Sequence, residues 1–508
     1  MGKLSRRDFL RLAALIPAAA YLPSAFWGLK KLRYKGNSSL PNVIVIVFDA
    51  MSARNLSVYG YPRKTAPNIE RFAERAIVYH SHYSAGNYTT PGTASLLTGM
   101  YPWTHRAINQ SGQVASRLAK RNIFSLLGEE YNRYAFGQNS WANIFLNQFD
   151  ADIDYHVPVR SFGAISPWVT GDWLKDANLG YQAIDSFLFS KGDPPASLVF
   201  GLAERLYGFN KSKNLKAKDY PNGLPQVLSA PFYYRMDDLF TGLVSLCTEL
   251  RPPYFAYLHV YPPHDPYKPS KDFRALFQDD WVPQTKPQHR LAVGRDSDDR
   301  LNARRANYDR FIANLDAEFG RLLSTLEDSG ILDDSYVILT SDHGEMFERG
   351  EQGHSTPLLY DPVVHSPLLI SVPGQQGRKD IYSPTNSIDL LPTLLYIAGR
   401  EIPEWCEGKI LPGLGGSDDL ERSTFSVEAK LAVSFAPLKI ATIAMRKGTN
   451  KMIYYTGYES TDAFEVYDLA NDPEEMDDLV PKNASIVSEL KTELMMRFEE
   501  ANQALRAV

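Results

Sequence analysis

Cysteine is scarce: the 508 residues contain two, Cys247 and Cys406. That excludes a disulfide-built scaffold and leaves room for one bridge at most. An excess of positive charge is also missing. Lys and Arg number 54 against 59 Asp and Glu, a net charge of −5, so no basic footprint points to a nucleic acid partner. There are no internal repeats and no low-complexity tracts, and beyond the N-terminus no apolar run is long enough to span a bilayer. What remains is a chain that is 44% hydrophobic and 22% charged, ample for one large domain and a smaller one.

The N-terminus carries a signal of its own. Ser5-Arg6-Arg7-Asp8-Phe9-Leu10 precedes an uncharged run from Leu12 to Leu29, interrupted by Pro17 and Pro23. Paired arginines, a modest apolar core and small residues predict export by the twin-arginine machinery, with residues 1–29 a signal or a membrane anchor and 30–40 a polar linker. The expected location is periplasmic or otherwise extracytoplasmic.

From Pro41 onward apolar strands alternate with helical periodicity, the pattern of βαβ units around a mostly parallel sheet. Strands are expected over Val43–Phe48, Arg133–Phe136, Tyr254–Val260, Tyr336–Leu339 and Leu368–Val372, and helices over Thr65–Ala76, Ala94–Thr98, Met236–Leu250 and Ala306–Ser329. Asp49, His264 and Asp342-His343 all fall at or just past strand carboxyl ends, where open α/β sheets bind ligands. Carboxylate and imidazole there are a donor set for a divalent metal. After Arg400 the pattern changes to a hairpin (Leu438–Arg446, Lys451–Tyr455), a third strand over Phe464–Leu469 and an amphipathic helix over Ile486–Leu505. The expected fold is therefore α/β: a large, mostly parallel sheet flanked by helices over 41–400, with a small antiparallel α+β subdomain over 401–508. Residues 151–250, with Trp168, Trp173, Phe187-Leu188-Phe189 and the basic stretch Lys211–Lys218, read as an insertion, either a lid or a helical decoration.

Several ordered segments together resemble the sulfatase branch of the alkaline phosphatase superfamily. They are Val45–Tyr61, Pro91–Pro102 (PGTASLLTGMYP), His259 through Pro263-His264-Asp265-Pro266-Tyr267, Ser341–Glu345 with Gly353-His354, Ile388–Thr393 and Val466–Leu469. The resemblance implies a catalytic metal held by Asp49, Asp342, His343 and the Thr89 oxygen. Zn²⁺ or Mn²⁺ is favoured by the mixed ligands, with Ca²⁺ or Mg²⁺ as alternatives. It implies His264 and His354 at the transferring group and His105 and Asn139 near the substrate. Asn139 stands where relatives place a Lys-x-His that is absent here. Asp389 is expected to cap or brace the helix at Leu390, and His259 to be a packed strand histidine.

One departure matters for the chemistry. Sulfatases carry C/S-x-P-x-R, whose Cys or Ser becomes formylglycine; here the stretch is Thr89-Thr90-Pro91-Gly92-Thr93. Threonine has a secondary Cβ and cannot become that aldehyde, so no formylglycine is expected, and Thr93 replaces the Arg. Three readings follow. The first is a metal-dependent hydrolase or transferase with Thr89 as direct nucleophile, acting on a phosphate ester or diester. The second is a sulfuric ester hydrolase working without formylglycine. The third is an inactive envelope binding protein in which Thr89 merely caps a helix. The substrate is expected to be a small-molecule, glycan or lipid-linked ester.

Overall fold

The computed structural model describes residues 39–162, 164–165, 218–229 and 232–506. The signal, most of the linker, Trp168, Trp173 and the remaining aromatic clusters of the expected insertion, and all of its basic stretch but Lys218, lie outside the described residues. Eight strands build the central sheet: β1 (Asn42–Phe48), β2 (Ile77–Tyr79), β3 (Asn132–Gly137), β4 (Tyr155–Val157), β5 (Tyr254–Val260), β6 (Ser335–Thr340), β7 (Leu368–Ser371) and β8 (Lys379–Ile381). Their order is β8-β2-β7-β6-β1-β5-β3-β4. All neighbours run parallel except β7, which is antiparallel to both β6 and β2.

The run Asn42-Val-Ile-Val-Ile-Val-Phe48 has no polar face because the sheet is covered on both sides. Alternate side chains divide between two cores. Ile44, Ile46 and Phe48 join one cluster with helices α1 (Pro67–Ala73), α4 (Met236–Thr248) and α5 (Asp298–Asp328). Val43, Val45 and Val47 join the other with α2 (Thr89–Thr98), α3 (Ser140–Gln148) and α6 (Leu390–Ile397). The result is a three-layer α/β/α body. Both ends of the expected insertion belong to it, a correction to the reading of 151–250 as decoration: β4 closes one sheet edge, and α4 packs Leu239, Phe240 and Leu243 into the first core. Three-residue strands such as β2, β4 and β8 give too short a periodicity to read in sequence.

The C-terminal part is a four-stranded antiparallel sheet, β9 (Thr424–Glu428), β10 (Ala441–Lys447), β11 (Asn450–Thr456) and β12 (Ala463–Asp468), in that order, with α7 (Ala484–Arg506). The hairpin and third strand stand where the sequence puts them; β9 is additional. One face packs Phe425, Ile443, Met452 and Val466 on Leu490, Leu494 and Phe498 of α7. The other packs Ile453, Tyr455 and Tyr467 against Leu358, Leu359 and Tyr360 of the main body. The described residues form one compact unit. Both cysteines are free thiols, and burial raises that of Cys247 to about 12. No helix among the described residues is long and apolar enough to cross a membrane.

Candidate active site

Strand order assembles the site. β1 lies between β5 and β6, in a register that sets Val47 opposite both His259 and Thr340. The three carboxyl ends therefore deliver Asp49, His259 and Asp342-His343 to one place, all fully buried. Asp49, Asp342 and His343 each offer a ligand atom within 4.8 Å of the others, the one such trio of metal-binding side chains among the described residues. Thr89, on the first turn of α2, faces them. Its Oγ1 lies 3.5 Å from His343 Nε2 and accepts a hydrogen bond of 3.2 Å from Asn139 Nδ2. Gly92 permits this approach, since a Cβ there would sit 2.2 Å from the Asp342 carbonyl oxygen.

The backbone is strained next to the pair. Ala50 holds φ at 60°, a left-handed value costly for a residue with a Cβ. Its N–H donates to Asp342 Oδ1 at 3.3 Å and its carbonyl accepts from Tyr308 OH at 2.6 Å, so the surroundings hold the strained conformation in place.

Hydrogen bonding orients the imidazoles. His343 Nδ1 lies 2.8 Å from the Gly344 carbonyl, which can only accept, so Nδ1 carries the proton. Nε2 is then the nitrogen left to face Asp49 Oδ1 at 3.5 Å and Asp342 Oδ2 at 3.6 Å. Both of these carboxylate oxygens are buried without a hydrogen-bond donor. Carboxylates converging in this way are costly unless positive charge sits between them, a proton on His343 Nε2 or a metal ion in its place, and the donor set of carboxylates, imidazole and hydroxyl fits a divalent metal. The charges leave their mark on the groups themselves. Burial raises the Asp49 carboxyl, but the neighbouring histidines 264, 259 and 343 outweigh it and hold it well below the usual range. Burial and the Asp49 charge push Asp342 up. Burial lowers His343, but the two carboxylates more than offset this and bring it up to about 9.

His264 and His354 lie beside this cluster, with ring centroids 4.9 Å apart, and the His354 ring is 4.3 Å from that of His343. His264 Nδ1 donates to the Asp265 carbonyl at 2.8 Å. His354 Nδ1 lies 3.1 Å from Glu345 Oε1, and the Asn87 amide holds its backbone carbonyl at 2.7 Å. Each ring thus keeps Nε2 free of its orienting partner. Burial drives His354 down to about 4, so it is neutral near pH 7.

Two sequence readings, His105 at the substrate and Thr89 as a cap, are corrected here, and those of Asn139 and His259 are extended. His105, expected near the substrate, is fully buried and spends both ring nitrogens internally, on Ser95 Oγ (3.0 Å) and the Ala107 N–H (3.0 Å); it has no face for a substrate. Asn139 does not stand apart at a substrate position. Its Nδ2 bonds Asp49 Oδ2 (2.5 Å) as well as Thr89, while its Oδ1 caps α3 on the Trp141 N–H (2.9 Å). His259 is a strand histidine, but its Nε2 reaches Asp49 Oδ2 at 3.3 Å. Thr89 is not a helix cap: α2 begins at Thr89 itself, with Tyr88 preceding it, so the hydroxyl remains available to the cluster. Asp389 both braces and pairs. It completes a capping box with Asn386 and takes both Arg422 guanidinium nitrogens at 2.6 Å. The role of Glu345 behind His354 went unread, and its only sequence signal was adjacency to Asp342-His343.

The comparisons with known proteins agree with this geometry. A family model described as "Sulfatase" matches residues 41–400, and one described as "N-sulphoglucosamine sulphohydrolase, C-terminal" matches residues 350–503. The chain belongs to the sulfatase family and is a hydrolase of that family. It is 22% identical over 463 residues to a choline-sulfatase of Rhizobium meliloti (strain 1021), covering 86% of this chain and 82% of that one. It is 25% identical over 421 residues to a multifunctional alkaline phosphatase superfamily protein of Trinickia caryophylli, covering 73% and 76%. Among solved structures, the phosphonate monoester hydrolase of Agrobacterium radiobacter superimposes with a TM-score of 0.63 at 20% identity, covering 92% of this chain and 96% of that one.

Proposed function

We propose that the protein is a metal-dependent phosphoester hydrolase or phosphotransferase with Thr89 as direct nucleophile. The observation that carries this reading is the placement of Thr89 Oγ1 at the same point on which His343 Nε2 and the donor-less oxygens of Asp49 and Asp342 converge. Asp49, Asp342, His343 and Thr89 would hold the cation, Zn²⁺ or Mn²⁺ by their donor types. Bound there, it would supply the positive charge that lowers a hydroxyl pKa and neutralises the transferring group.

The chain's own residues account for the remaining steps. Asn139 donates to Thr89 Oγ1 and Asp49 at once, which fixes the hydroxyl against the carboxylate. Thr89 Oγ1, its proton lost to solvent, bonds to phosphorus as the bond from phosphorus to the leaving oxygen breaks. His264, oriented by the Asp265 carbonyl, is positioned to give that oxygen its proton. His354, held neutral with its Nδ1 proton on Glu345, presents the Nε2 lone pair and can take the proton of the water or alcohol that attacks the phospho-threonine. Water or an acceptor alcohol then releases the phospho-threonine. A formylglycine hydrate would resolve its ester by elimination, a route closed to threonine.

The match to a sulfatase family model supports a second reading, a sulfate ester hydrolase independent of formylglycine. Matched nitrophenyl sulfate, phosphate monoester and phosphate diester, assayed with metal-reconstituted wild type and Thr89→Ala, decide between them. Thr89-dependent turnover of a phosphate ester is expected. Turnover of the sulfate alone would favour the second reading, and metal binding without turnover of any ester would favour a binding protein. We also infer action outside the cytoplasmic membrane on a small-molecule, glycan or lipid-linked ester, from Arg6-Arg7 and the apolar run that follows. Changing both arginines to lysine should leave the protein in the cytoplasm.

A further inference from the structure

The loop between β9 and β10 presents three large apolar side chains to solvent: Leu431, Val433 and Phe435 are 68%, 71% and 71% exposed. Their backbone is tied down from beneath. Arg106, itself buried, donates to the carbonyls of Val433, Ser434 and Ala436, and Asn109 Nδ2 donates to those of Lys430 and Ala432. All hydrogen bonds of the Arg106 guanidinium among the described residues go to backbone carbonyls, the fourth being that of Trp103. Burying a guanidinium against carbonyls alone is an expensive way to hold a surface loop. The expense is intelligible if the loop's shape matters.

The loop begins at the active site. Lys430 Nζ donates to Ser355 Oγ at 2.7 Å, and Ser355 follows His354 directly. The same ammonium lies 5.7 Å from the centre of the Tyr88 ring, and Tyr88 immediately precedes Thr89. Leu228 is 56% exposed as well, and its neighbour Ser229 donates to Asn139 Oδ1 at 3.0 Å. From the site outward, then, the order is one cation followed by a clamped apolar surface. An anionic group near Thr89 is complementary to Lys430, and whatever extends from it meets Leu431, Val433 and Phe435. Apolar surface fixed in this way and continuous with a reactive centre is a means of binding.

We propose that loop 430–436 is the leaving-group subsite, and that the substrate is an amphiphilic ester: an anionic phosphate or sulfate head on an alkyl or aryl remainder. The inference rests on the ester-cleaving reading of the site. Its test uses binding instead of turnover, so that the two can fail separately. The full chain with its metal is titrated with methylphosphonate and octylphosphonate, which present the anionic head without an ester bond. Wild type should bind the octyl compound at least about tenfold more tightly, a modest fraction of what full burial of the added methylenes would give. In the Leu431→Ser, Val433→Ser, Phe435→Ser triple variant the methylphosphonate affinity should be unchanged and the octyl advantage should be lost. Phe435→Ser alone, which leaves more of the loop intact, should lose part of it and serves if the triple variant does not fold. No octyl advantage in wild type, or an advantage that survives in the triple variant, overturns the proposal whatever Thr89-dependent turnover shows. Sedimentation with phosphatidylglycerol–phosphatidylcholine vesicles supplies the other arm. If the triple variant loses vesicle binding while octylphosphonate affinity is intact, the loop serves a bilayer surface and the subsite is wrong.

Discussion

Asp49 with Asp342, at the carboxyl edge of the central sheet, and Asp361 with Glu475, beside the C-terminal sheet, are both pairs of buried carboxylates joined from distant stretches of chain. They are treated differently. Lys451 on β11 sits between the second pair, with Nζ 2.8 Å from Asp361 Oδ1 and 2.7 Å from Glu475 Oε1, and the Asp361 N–H donates to Glu475 Oε2 at 2.9 Å. That pair carries its own cation and joins the C-terminal sheet to the main body. The first pair is ringed by His259, His343, Asn139 and the Ala50 N–H, yet one oxygen of each carboxylate has no donor. Burial of like charges is common to both pairs and so does not mark a reactive centre. What distinguishes the functional pair is unspent acceptor capacity aimed at one point, with a hydroxyl beside it.

The comparison can be broken by experiment. Asp342→Asn should lower kcat/KM by on the order of 10³- to 10⁴-fold and abolish stoichiometric metal binding, while the melting temperature of the metal-free protein stays level or rises because a buried like charge is gone. Metal analysis beside calorimetry would show this, and a large drop in metal-free stability would make the two pairs alike. Lys451→Met should act oppositely, costing about 3–5 kcal/mol in denaturant unfolding because it strands two buried carboxylates, with metal content per folded molecule unchanged.

Acid should sharpen the contrast further. His82, His105 and His365 are buried away from the metal cluster, and burial lowers them to about 3, 3 and 4. Their folded pKa values lie below the unfolded 6.5, so the unfolded chain binds more protons. The stability they contribute is complete above pH 6.5 and is lost as the pH falls toward 4. The three together should steepen the loss to as much as about 4 kcal/mol per pH unit between roughly pH 6 and 4, measured as unfolding free energy against pH. Chelation is expected to lower the stability of wild type by about 3 kcal/mol when metal is near one hundred times its dissociation constant, and that of Asp342→Asn not at all. The smallest effect belongs to His105→Gln: about 1–2 kcal/mol of stability from the lost internal hydrogen bonds, with KM unchanged. A raised KM would return His105 to the substrate.

Much of the fold could be read from the chain because continuous apolar runs are long in the central strands. Val43–Phe48 and Tyr254–Val260 stand almost to the residue, as does the C-terminal hairpin. Asp49 and Asp342-His343 could be read for the same reason: they end such runs. Asn139 and His259 could not be placed, because their contacts with Asp49 bridge 90 and 210 positions and exist only through strand order. Sequence by itself determined the residue types at each strand end and the threonine at position 89, since these are local chemistry. Tertiary structure alone decided that β1 lies between β5 and β6, that Gly92 lets α2 touch the Asp342 backbone, and that Arg106 holds the exposed apolar loop 431–436. Each of these is a packing contact between segments far apart in the chain, and no local periodicity encodes it.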